Sequence, residues 1–121
     1  MAKLVRPVEF WLEQIVGLAT RLSGHVAGMT ATQFVGDQKT IDAASWCIGC
    51  IGEASGKILQ LDPRFDKEHA ELNLLSAYSA RNRYVHGYYD LDVEQVWQTA
   101  VISVPAMSAA ARKILDGSPQ S

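Results

Sequence analysis

Arg81, Asn82 and His86 lie close together in the run RNRYVHGYYD, residues 81–90, which also holds three of the chain's four tyrosines. An arginine presents a planar fork of N–H donors that matches two phosphate oxygens at once. A histidine can take or give a proton near neutral pH. Asn82 and His86 are four apart, so on a helix they are surface neighbours, and Arg81 stands one step round from them. A phosphodiester site needs such a set. Spacing alone also fits a helix end with a cation near its C-terminal dipole and aromatics packing the turn.

Helices must position these groups. Val8, Trp11, Ile15, Leu18, Leu22 and Met29 recur at three-four spacing, with Pro7 suited to the first turn. TATQF reads as one short turn. In DQKTIDAASWCIGCIGEASGKILQL, one stripe joins Ile41, Ala44, Ile48, Ile51, Ser55 and Ile58, while Trp46, Cys47, Cys50 and Ala54 occupy the other side. A helix apolar nearly all round must be covered all round, which points to a second subunit. Gly49, Gly52 and Gly56 each weaken that helix by about 1 kcal/mol relative to alanine, so a close neighbouring helix should offset them. Pro63 breaks the pattern. A third helix is expected from Lys67 into the opening run, with a stripe Leu72, Leu75, Ser79, Asn82, His86 that begins apolar and ends polar. Gly87 ends it, YYDLD is a loop, and Asp92 with Gln95 forms a capping box. The last helix turns Val93, Val96, Ala100, Val104, Met107, Ala111 and Ile114 inward, with a kink or break at Pro105. The pattern predicts an all-α fold, an up-and-down four-helix bundle with a short extra helix.

The chain has 121 residues, enough for one domain over 1–121, with the DGSPQS tail fraying from about 117. Apolar residues make up 48% and charged residues 20%, a globular balance. The net charge of −2 gives no global field toward nucleic acid, so any such contact must be local. No apolar run reaches the roughly 20 residues of a membrane helix. The N-terminus MAKLVRPVEFWLEQ becomes charged too early for a signal peptide, so a cytoplasmic location is the default. Cys47 and Cys50 lie within a helical pattern with no further ligands at matching spacing. They read as small buried residues rather than a redox pair or zinc site, and no metal or cofactor is expected. His25 reads as a packing or surface residue.

RNRYVHGY resembles the arginine–polar, four-residue, histidine, any-residue, tyrosine motif of HEPN-domain proteins, and more narrowly the HepT toxin branch. The order RNRYVHGYYDLDVEQVW follows that branch through Trp97. Upstream, FVGDQKTIDAASWCIGCIGEASGKI is similar to its second conserved block. The resemblance covers roughly residues 7 to 115. It departs before the motif helix: RFDKEHAELNLLSAYSA replaces the branch's tryptophan-containing loop, and Ser79-Ala80 replaces the usual methionine or phenylalanine, so the entrance to the site differs.

The resemblance implies a homodimer of small helical bundles whose motifs meet in a cleft between subunits. It implies a type VII toxin that is a metal-independent ribonuclease cleaving RNA, paired with an MNT-type nucleotidyltransferase antitoxin. By it, Arg81 binds and polarises the scissile phosphate, Asn82 positions His86 or the phosphate, and His86 is the general acid or base. Tyr88 receives AMP from the antitoxin, and Glu53 of IGEA is a supporting candidate, or else a surface carboxylate beside Lys57. Arg83, Tyr84 and Tyr89 receive no role. The rival expectation is a noncatalytic HEPN partner of a nucleotidyltransferase. The sequence pI of 5.8 leans toward that rival, whereas Arg81 together with His86 leans away from it.

Overall fold

A computed structural model of the chain describes residues 5–117. The fold is all-α. Helix α1 (Val8–Val26) is followed by the short α2 (Ala31–Val35), the long α3 (Gln38–Leu61) and the short α4 (Phe65–Glu68). Then come α5 (Leu74–His86), α6 (Val93–Gln98) and α7 (Val104–Leu115). Helix α3 packs against α1 on one side and α5 on the other, and α7 closes on α1. Among the described residues, no helix is long and apolar enough to cross a membrane.

Local chemistry sets the boundaries. Pro7 is the N-cap of α1 rather than part of its first turn, and its carbonyl accepts from the Phe10 N–H at 3.0 Å. Helix α1 stops at Val26, short of Met29, and Gly28 turns the chain at φ 76°. A complete capping box forms at α2, Thr30 with Gln33, whereas the box expected at Asp92 is only half made: Asp92 accepts from the Glu94 and Gln95 N–H groups without a return bond from the Gln95 side chain. That helix drives Phe34 fully into the core, where its ring lies 5.3 Å from that of Trp97. Asp37 caps α3 by accepting from the Thr40 N–H at 3.1 Å, a bond that lowers its carboxyl pKa. The Ile41–Ile58 stripe is buried as its spacing requires. Helix α3 ends just before Pro63, a residue that disfavours helix in its predecessor.

Three expectations are corrected. The helix anticipated from Lys67 is divided: α4 is one turn, Ala70–Leu72 is a 3₁₀ turn, and Asn73 is left-handed at φ 54°. Leu72 and Leu74 are both fully buried, and one continuous helix would turn residues two apart to opposite sides. The left-handed asparagine lets both face inward. Leu75, expected on the inner stripe, is consequently 59% exposed, and Ser79 is exposed too. The last helix is divided near Pro105, one of the two outcomes expected there. Thr99–Ser103 widens into a π segment just before Pro105, which cannot donate to the helix ladder and crowds the carbonyl four residues back. The inner stripe survives this change, with Val96, Ala100, Val104, Met107 and Ala111 all buried. The loop after Gly87 contains a 3₁₀ turn, Tyr88–Asp90. The C-terminal tail beyond residue 117 lies outside the described residues.

The second face of α3 is largely covered within the chain. Cys47 and Ala54 are buried and Cys50 half-buried, while Trp46 remains 67% exposed. Two of the three glycines are close approaches, as the sequence implies. A Cβ at Gly56 would meet the Tyr78 ring at 2.6 Å, and one at Gly52 would meet the Ala77 carbonyl at 2.7 Å. Both contacts are with α5 of the same chain. Gly49 faces open space.

Candidate functional site

Gly52 decides where Arg81 stands. With no side chain there, α5 comes close enough for the Arg81 Cβ to rest directly over α3. The inward face of α5 therefore runs through Leu74, Ala77 and Arg81 rather than through Leu75, Ser79 and Asn82. The Arg81 guanidinium is half-buried, and its Nη1 donates to Asn82 Oδ1 at 3.2 Å. Asn82 thus holds the arginine fork directly.

Arg81 and Tyr84, one turn apart on α5, form one wall of a cleft of about 410 Å³. The other wall is a stripe of α3: Asp42, Ser45, Trp46, Gly49, Cys50 and Glu53. Glu53 and Arg81 also share a smaller groove with Lys57 and Tyr78. Glu53, exposed as a surface carboxylate would be, is therefore brought along the same channel as Arg81. Asn82 faces a second cleft of about 530 Å³, which runs past Arg83, Gly87 and Asp90 to Gln95. Tyr84 lines both clefts and divides them.

Burial sets the electrostatics of this region. It pushes the Tyr84 phenol above its ordinary value, against smaller opposing effects of the Arg83 cation and the Thr99 hydroxyl. Burial likewise raises the Cys50 thiol, with the nearby Glu53 carboxylate adding to the effect, so the thiol stays neutral. Cys47 is raised by the same cause.

His86 is the last residue of α5, one helical turn beyond Asn82 in register, and the Gly87 N–H closes the helix on the Arg83 carbonyl at 2.8 Å. Gly87 does so at φ −133°, not in a left-handed cap. Tyr88 begins the 3₁₀ turn that follows. The side chains of His86 and Tyr88 lie outside the described residues. Of the other tyrosines in that run, Tyr89 is 99% exposed, while Tyr84, to which the sequence assigns no role, is the wall between the clefts. Sequence reasoning also passed over Ser45, and it treated Trp46 only as bulk to be covered. The glycine spacing on α3 was the available signal, because it marks the face where α5 sits.

The family model described as "Ribonuclease HepT-like" matches residues 12–114. A protein named probable ribonuclease HepT, from Thermococcus cleftensis, is 25% identical over 104 residues, covering 86% of this chain and 92% of its own length. A protein from Caldanaerobacter subterraneus subsp. tengcongensis, whose name assigns it provisionally as an RNase, is 24% identical over 105 residues, covering 87% and 91%. No solved structure matches the chain.

Proposed function

This chain belongs to the HepT-like ribonuclease family, and from that premise we propose that it is a metal-independent endoribonuclease acting as a toxin. The observation that carries the reading is the seat of Arg81. Its guanidinium is fixed at a cleft by a glycine beneath its Cβ and by the Asn82 amide oxygen beside it. A preorganised fork at a concave site suits a phosphate whose charge grows during reaction.

In this proposal the substrate supplies the nucleophile. The ribose 2′-hydroxyl attacks the adjacent phosphorus while His86 takes its proton. The P–O5′ bond breaks, and the departing 5′-oxygen takes a proton from water. The products are a 2′,3′-cyclic phosphate and a 5′-hydroxyl. Arg81 neutralises the non-bridging oxygens, Asn82 orients Arg81, and Glu53 supports the channel. Two copies form a homodimer that brings both motifs to one cleft. An MNT-type nucleotidyltransferase silences the toxin by transferring AMP from ATP to the Tyr88 hydroxyl, releasing pyrophosphate. The bulky anion then sits over the phosphate site and repels RNA.

The test is cleavage of single-stranded RNA by the purified protein in excess chelator. Cyclic-phosphate ends should appear, be lost in His86→Ala with its helical circular dichroism unchanged, and fall strongly in Arg81→Lys, whose ammonium lacks the bidentate fork. Co-expression with the nucleotidyltransferase should add AMP mass to the peptide bearing Tyr88. A folded His86→Ala protein that still cleaves overturns the catalytic assignment. Wild-type protein that takes AMP but cleaves nothing points to the noncatalytic partner, the reading that the acidic pI of 5.8 favours.

A further inference from the structure

We propose that the cleft between α3 and α5 is a nucleobase subsite, where an unstacked base of single-stranded RNA lies on the Trp46 indole with its backbone toward Arg81. This rests on the ribonuclease reading above and deepens it.

Several independent features converge on that cleft. Trp46 is 67% exposed and lines the same cleft as the half-buried Arg81. Ser45, next to it on the same wall, is only 9% exposed, and its hydroxyl oxygen is buried without a hydrogen-bond partner. Buried polar atoms are nearly always paired, and the Ser45 side chain borders this cleft. Gly49 leaves the space open, since a Cβ there would meet nothing within 4 Å. The Cys50 thiol, kept neutral by burial, adds an apolar surface.

A nucleobase matches these chemistries together. Its π face stacks on an aromatic ring regardless of sequence. Its edge carries N–H donors that can reach the Glu53 carboxylate, which is exposed at the cleft. A volume of about 410 Å³ lies in the range of small-ligand sites. The base must leave its own stack to enter, so the cleft selects single-stranded or looped RNA over duplex. A second copy of the chain could also cover Trp46, in which case removing the indole would weaken the oligomer rather than base binding.

The experiment compares wild type, Trp46→Ala and Trp46→Phe on a single-stranded oligoribonucleotide and on the same oligomer with an abasic residue beside the cleavage position. Trp46→Ala should raise KM roughly tenfold to a hundredfold on the base-bearing oligomer. Trp46→Phe should recover most of that loss. The abasic oligomer should bring wild type down to the level of Trp46→Ala. Equal KM for wild type and Trp46→Ala on both oligomers overturns the subsite and leaves the ribonuclease reading standing. If wild type cleaves no RNA, titration with guanosine monophosphate decides. Quenching of a fluorescence component that Trp46→Phe lacks upholds the base site without the ribonuclease reading, and no quenching rejects it. If Trp46→Ala dissociates an oligomer in sedimentation while both oligomers are handled alike, a second copy occupies the cleft and the proposal fails.

Discussion

At the scale of single residues, Tyr84 separates what the sequence discloses from what packing adds. The candidates Arg81, Asn82 and His86 stand out by residue type, spacing and the resemblance to the HEPN motif, and the structure sets Arg81 and Asn82 at the two clefts. Tyr84 does not stand out, because its importance comes from dividing two clefts, and that depends on how α5 is rotated over α3. Its phenol is raised above 10.0 by burial, and this gives it a pH signature. A folded state that holds a proton more tightly than the unfolded chain is favoured fully while both are protonated. That stability is lost as pH rises past the unfolded value of about 10 and through the raised folded one. Urea midpoints should therefore fall more steeply between pH 9 and 11, both approximate bounds of that window, in wild type than in Tyr84→Phe, which has no phenol to titrate. Parallel alkaline slopes would contradict the buried phenol.

At the scale of elements, the glycines of α3 make a graded series. A Cβ at Gly52 would meet the Ala77 carbonyl at 2.7 Å and the Arg81 Cα at 3.3 Å, and backbone cannot swing aside. Gly52→Ala should cost about 1–3 kcal/mol, the range for overpacking, and should reduce activity further by moving Arg81. Gly56→Ala meets the Tyr78 ring, whose side chain is 36% exposed and can turn, so it should cost less. Gly49→Ala meets nothing and should stabilise by up to about 1 kcal/mol through helix propensity. Denaturant unfolding of the three variants checks the order, and equal effects would refute it. The existence of the long helices, the α3 stripe and the Asp92 cap were readable from periodicity and end signals. The start of α5 was not. It depends on burying Leu72 and Leu74 together, a tertiary demand met by a left-handed Asn73 that no local pattern announces. The π segment Thr99–Ser103 was equally hidden, although Pro105 marked its neighbourhood.

At the scale of the whole molecule, the net charge of −2 means that nothing global draws RNA in, so any contact with it must be local, and the proposed site lies largely on α5. That element is held unevenly. Helix α1 buries six residues and α3 eleven, whereas on α5 Leu74 alone among the described residues is buried, the others being half-covered or exposed. Segments with few buried contacts open at lower free energy than the core. In native-state hydrogen exchange, amides from Ala77 to Arg83 should exchange through a local opening well before those of α3. Exchange of both helices in one global step would show otherwise. Arg81 and Asn82 then ride on a breathing segment: the clefts they line can be lost, repeatedly and reversibly, while the rest of the bundle stays folded.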